Sequence, residues 1–177
     1  EAGIPPGVVN IVTGFGDPAG KALVQQPDVD KIAFTGSTAT GKWIVQAAAT
    51  TLKRVTLELG GKSPNIIFPD ADMARAIPGA AMAVFANSGQ ICVAGSRLYI
   101  HKKVFDQVVE GISGMAKSLK VGSGLEPDTN LGPLVSQGQL DRVTGYIEAG
   151  RGEGAEVVTG GKRQGSEGYF VQPTVLA

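Results

Sequence analysis

Lys31-Ile32-Ala33-Phe34-Thr35-Gly36-Ser37-Thr38-Ala39-Thr40-Gly41 is a short apolar run that opens into a polar loop bounded by glycines. Lys31 to Phe34 predicts a strand, and the Ala-rich stretch from about Thr38 to Thr50 predicts a helix. Arg54-Val55-Thr56-Leu57-Glu58-Leu59 then alternates like a second strand and stops at Gly60-Gly61. Upstream, the β-branched run Val8-Val9-Asn10-Ile11-Val12 predicts a further buried strand. Asp17-Pro18 predicts a helix start, running to about Gln26 and stopped by Pro27. Strand, helix, strand, helix, strand is the pattern of a parallel sheet with right-handed crossovers. Ligands on such sheets gather where strands end and helices begin.

The second half continues in the same α/β style. Asn65 to Phe68 predicts a strand, and Asp70 or Asp72 caps a helix that runs into Phe85. Asn87-Ser88-Gly89-Gln90-Ile91-Cys92 breaks the helical pattern with a polar turn before a strand over Arg97 to His101. Val104, Val108, Ile112, Met115 and Leu119 recur at helical spacing. A Gly/Pro-rich loop over 122–133, a helix from about Ser136 to Arg151 and a strand over Glu156 to Thr159 complete the series. The seam between the halves lies near Gly60-Gly61, with no flexible linker, which predicts halves that pack together.

Composition narrows the function. Hydrophobic residues make up 42% and charged residues 18%, a globular balance. Sixteen Lys+Arg match sixteen Asp+Glu, so nothing in the net charge points to nucleic acid or an anionic membrane. The 26 glycines have no fixed period, which excludes a collagen-like chain. One cysteine and one histidine leave no disulfide within the chain and predict no metal site. No apolar run is long enough to span a bilayer and no signal peptide is visible, which fits a soluble protein of the reducing cytoplasm. The chain opens at Glu1 on a turn, without Met, and is therefore expected to be a piece of a longer protein.

Three features could carry chemistry. Cys92 is either a small buried hydrophobe, the common fate of a lone cysteine, or a nucleophile. Gly89 and Gly95 on either side would leave backbone N–H groups free to stabilise a thiolate and an oxyanion. Glu58 ends an apolar strand, sharing a face with Thr56 while Val55, Leu57 and Leu59 take the other. It is either a solvated strand end or the base that a thioester hydrolysis would need, since no histidine is placed for that work. The Gly36 to Gly41 loop is either a simple N-cap or an anion site for a pyrophosphate, built from free N–H groups and the hydroxyls of Ser37 and Thr38. Gly14-Phe15-Gly16-Asp17-Pro18-Ala19-Gly20 imitates a dinucleotide fingerprint, but its last spacing is one residue too long and Asp17 would face a phosphate. It reads as a turn and helix start. Trp43 reads as packing; His101, Lys62, Lys102-Lys103 and Lys53-Arg54 read as surface.

Read together, these segments resemble one family. Glu58-Leu59-Gly60-Gly61-Lys62-Ser63-Pro64-Asn65 resembles the glutamate signature of the aldehyde dehydrogenase superfamily. Phe85-Ala86-Asn87-Ser88-Gly89-Gln90-Ile91-Cys92-Val93-Ala94-Gly95-Ser96-Arg97 resembles its cysteine signature, and Phe34 to Gly41 its cofactor loop. Gly168-Tyr169-Phe170-Val171-Gln172-Pro173-Thr174 is also similar to a stretch of the family, and the motifs follow in the family's order. The resemblance implies the end of a Rossmann-type cofactor domain over 1–58, followed by the first part of an α/β catalytic domain over 59–177.

It also implies roles. Cys92 would attack the aldehyde and carry a thiohemiacetal and then a thioester, and Glu58 would activate the hydrolytic water. The Cys92 N–H would form half of the oxyanion hole. The cofactor, NAD or NADP, would meet Thr35, Gly36, Ser37, Thr38, Gly41, Leu59 and Gln139, while Arg142 stands where many members have lysine. The parent enzyme is expected to be a homodimer or homotetramer. An upstream asparagine, an upstream lysine with its acidic companion, and a downstream glutamate and phenylalanine are outside this chain, which is therefore expected to show no useful turnover alone. Two readings stay open beside hydrolysis: a CoA-acylating relative, which Glu58 argues against, and a non-catalytic structural relative, which Cys92 and Glu58 together argue against. Ser96 to Tyr99 and Gly132 to Ser136 are similar to bacterial members that act on aromatic aldehydes.

Overall fold

Lys31–Gly36 and Arg54–Leu59 are two parallel strands, β1 and β2, in a computed structural model that describes residues 2–177. Their register pairs Ile32 with Val55, Phe34 with Leu57 and Thr35 with Glu58. Between them runs α2, Thr38–Ala48, preceded in the chain by the short helix α1, Lys21–Gln25. A right-twisted strand feeding a helix returns to a parallel neighbour, and the strand–helix–strand unit buries one face of the pair. That face is apolar by alternation: Ile32, Val24 of α1 and Ile44 of α2 are buried, with Phe34, Trp43, Ala47, Val55 and Leu57 packed around them. The chain divides into two compact units at Gly60 and Gly61, and this small core belongs to the first.

The second unit, Gly61–Ala177, is built on a second parallel pair, β3 (Pro64–Ile67) and β4 (Arg97–Ile100), with Ile67 opposite Ile100. The connecting helix α3, Met73–Phe85, starts where Asp72 Oδ1 accepts the Ala74 N–H at 3.0 Å. Helix α4, Phe105–Ser118, turns Val108, Ile112 and Ala116 inward at helical spacing. These join Ile67, Ala80, Ala81, Phe85 and Leu131 in one core, with Leu98 and Ile100 against it. Burial of each large side chain stabilises by roughly 1.5–3 kcal/mol. Gly111 lets α3 and α4 approach closely, since a Cβ there would lie 2.8 Å from the Ile77 side chain. Helix α5, Gln137–Gly152, and an antiparallel pair, β5 (Val157–Thr159) with β6 (Val175–Leu176), follow. No helix of the described residues is long and apolar enough to cross a membrane.

Three expectations are corrected. Val8 to Val12 forms no strand; Val8, Val9, Ile11 and Val12 are exposed. β-branched content favours a strand only when a neighbour supplies the ladder, and no described strand pairs with this run. Asp17 does not cap a helix, because its backbone is extended (φ −120°, ψ 119°) inside a wide turn over Gly16–Gly20, and α1 begins only at Lys21. Lys53 is not a solvated lysine: it is buried, and its Nζ donates to the carbonyl of Gln26 at the end of α1. That bond satisfies an orphan helix-end carbonyl.

Candidate active site

Cys92 is a free, exposed thiol. It is the second residue of a turn closed by the Ala94 N–H donating to the Ile91 carbonyl at 3.1 Å. Such a turn leaves the N–H of its second residue outside the ring. Among the described residues the Cys92 N–H donates to no backbone carbonyl, so one polarised donor lies beside the sulfur. The alternative of a buried core cysteine is excluded by its exposure.

The approach to Cys92 is unusual backbone. Asn87, Ser88 and Gly89 are all left-handed, with φ of 50°, 54° and 74°. Asparagine and glycine tolerate this; serine does so at a cost of roughly 1–2 kcal/mol. Side chains hold the loop in place. Asn87 Nδ2 donates to the Gln90 carbonyl at 3.2 Å, and Ser88 Oγ donates to the Gly132 carbonyl at 2.9 Å. Gln90 Oε1 accepts the Val135 N–H at 3.0 Å. On the far side the Gly95 N–H is not free, contrary to expectation: it donates to the Ala83 carbonyl at 2.9 Å, which ties the loop to α3. Gly61 backs Cys92 so closely that a Cβ there would stand 2.9 Å from the Cys92 carbonyl oxygen. Arg97 fastens the next residue, its Nε and Nη2 donating to the Lys62 carbonyl at 3.0 and 2.6 Å. Lys62 itself is exposed, outside helix and strand.

In the first unit, Glu58 lies at the C-terminal end of β2 on the exposed face with Thr56, while Val55, Leu57 and Leu59 are half-buried. Its register partner is Thr35, also exposed, so the two side chains stand on one face of the pair. From Thr35 the chain passes through Gly36 to Ser37, which caps α2: its Oγ accepts the Thr40 N–H at 3.1 Å and lies 2.8 Å from Thr40 Oγ1. The N–H groups of Thr38 and Ala39 at this helix start bond to no described backbone carbonyl, and both residues are exposed. N–H groups, hydroxyls and the positive end of an eleven-residue helix make a donor set chemically suited to a phosphate. Gly41 has a packing reason of its own: it is buried, and a Cβ would meet Leu59 Cδ2 at 2.8 Å.

Gln139 lies in the first turn of α5, where Ser136 Oγ accepts its N–H at 3.2 Å. Its Oε1 accepts from Arg142 at 3.5 Å. The structure thus unites Thr35 with Glu58, and Cys92 with Gly61, within their own units. Ser88, Gln90 and Arg97 were not singled out from the sequence, although each stands inside the cysteine signature; their partners lie 44, 45 and 35 residues away.

Comparison with known proteins supplies the context. The model of the aldehyde dehydrogenase family matches residues 1–177. The protein called "Putative aldehyde dehydrogenase DhaS" of Bacillus subtilis (strain 168) is 56% identical over 177 residues, covering 100% of this chain and 36% of its own length. An aldehyde dehydrogenase of Davidiella tassiana is 52% identical over 178 residues, again with 36% of its length covered. The NAD+ complex of an aldehyde dehydrogenase from Bacillus cereus superposes with a TM-score of 0.96 at 54% identity, over 98% of this chain and 35% of that one. The chain therefore spans little more than a third of the relatives it matches.

Proposed function

The chain belongs to the aldehyde dehydrogenase family, and from that membership we propose that it carries the nucleophile and the hydrolytic base of an enzyme that oxidises an aldehyde to a carboxylic acid. The observation that carries the reading is the exposed Cys92 thiol beside its own unengaged N–H, on a loop tied down by side chains.

Cys92 Sγ forms a bond to the aldehyde carbon, and the carbonyl oxygen becomes an oxyanion that the Cys92 N–H stabilises. A nicotinamide dinucleotide, when held there, would supply the two-electron acceptor for the hydride that this carbon loses. The Gly36 to Gly41 loop and the start of α2, with Ser37 and Thr38, would hold its pyrophosphate; Thr35, Leu59 and Gln139 would contact the rest, and NAD fits the family. The carbon left on Cys92 is then a thioester. Glu58 takes a proton from water, the hydroxide adds to the thioester carbon, the C–S bond breaks and the carboxylic acid leaves. Glu58 ends a parallel strand, where such sheets gather reacting groups, and a carboxylate base in the chain favours water over CoA as the acyl acceptor.

The test is single-turnover NADH formation by the full-length protein carrying this chain. Cys92→Ser should abolish the burst, because an unactivated hydroxyl is a far weaker nucleophile than a thiolate. A burst of normal size in that variant would overturn the reading.

A further inference from the structure

Resting on the assignment of Cys92 as nucleophile, we propose that Gln90 and Ser88 are positioning residues that aim the thiol by fastening its loop to the segment Gly132–Val135. Neither touches the reacting atoms in this proposal; they act through the backbone.

Cys92 is exposed, and the turn it belongs to is closed by a single bond, Ala94 N–H to Ile91 carbonyl at 3.1 Å. The loop before it passes through three left-handed residues, of which Ser88 is intrinsically ill-suited to that conformation. Left to local preference, the loop would relax to another path. Two side-chain bonds oppose this: Ser88 Oγ to the Gly132 carbonyl at 2.9 Å, and the Val135 N–H to Gln90 Oε1 at 3.0 Å. The segment they reach is firm. Leu131 and Leu134 are buried, the Leu131 N–H donates to the Lys120 carbonyl at 3.0 Å, and the Leu134 N–H donates to the Tyr169 carbonyl at 2.9 Å. Gln90 is two residues before Cys92, so movement of its backbone is passed directly to the sulfur. Strained backbone held by surrounding structure is the usual form of a preorganised site.

The experiment compares full-length Gln90→Leu, Val135→Pro and the double variant with the parent. Gln90→Leu removes the acceptor and Val135→Pro removes the donor of one hydrogen bond. Each single change should slow the NADH burst by about 10–100-fold, the scale of a misplacement near 1 Å. The aldehyde KM should stay within about threefold, and the fraction of Cys92 alkylated at saturating iodoacetamide should stay unchanged. The double variant should be no slower than the slower single, because both remove the same interaction. Where a variant fails to fold, Ser88→Gly replaces it: glycine eases the left-handed backbone yet loses the hydroxyl, and should still slow the burst by about tenfold. A burst within twofold of the parent, losses that multiply in the double variant, or a loss equal to the loss of alkylatable thiol would overturn the proposal. If Cys92→Ser kept its burst, the nucleophile assignment itself would fail. A dead Cys92→Ser beside an unaffected Gln90→Leu would overturn the positioning role alone.

Discussion

A Cβ on Gly61 would stand 2.9 Å from the backbone carbonyl oxygen of Cys92. The neighbour is backbone and cannot rotate away, so a side chain there forces the Cys92 loop to shift. Gly61 is outside the left-handed region, so its need for glycine is one of contact and not of conformation. Gly61→Ala should therefore slow the NADH burst by about tenfold or more in the full-length protein. Stopped-flow measurement of the burst checks this, and an unchanged rate would mean that the Cys92 carbonyl yields freely.

Glu58→Gln should separate the two halves of the reaction. The first turnover should survive, because hydride transfer needs no general base once the thiolate has added. Steady-state turnover should fall by about 10²–10⁴-fold, the usual worth of a general base. Burst and steady-state rates measured in one trace give both numbers. Equal loss of the two would place Glu58 in the addition step instead.

Ser37 caps α2, accepting the Thr40 N–H at 3.1 Å, and is also one of the residues proposed to hold the phosphate. Two substitutions separate these roles. Ser37→Ala should lower stability by about 1 kcal/mol and weaken NAD+ binding. Ser37→Asp keeps a capping oxygen but sets a negative charge against the phosphate, so stability should hold while binding weakens further. Denaturant unfolding and NAD+ titration read the two effects independently.

Arg97 spends two N–H groups on the Lys62 carbonyl. Arg97→Leu should cost about 1.5 kcal/mol, the low end for hydrogen bonds to charged groups, because Arg97 is exposed. Urea unfolding would show it as a lower midpoint at an unchanged slope.

The sequence and the structure part company for identifiable reasons. β1, α2 and β2 were legible because apolar alternation, a Ser37 cap and the Gly60-Gly61 stop all agree locally. Val8 to Val12 carried the same local signal, yet it lies exposed, because propensity cannot supply a pairing strand. Lys53 was misread because its partner, the Gln26 carbonyl, is 27 residues away. At the site, Asn87 and Gly89 announced a turn, since both accept positive φ, whereas Ser88 gave no such sign. Cys92 and Glu58 stood out by what thioester chemistry would require and by the family resemblance, and the structure adds that both are exposed. Ser88, Gln90 and Arg97 were passed over because their contribution is a hydrogen bond to distant backbone, which leaves no pattern in sequence spacing.

The central claim is that Cys92 carries the acyl group. Full-length Glu58→Gln protein, mixed with an aldehyde and NAD+ and quenched in acid, should hold the thioester long enough for peptide mass spectrometry. The peptide containing Cys92 should gain the mass of the acyl group, at a yield matching the NADH burst. A burst with no adduct on Cys92, or an adduct on another residue, would contradict the account.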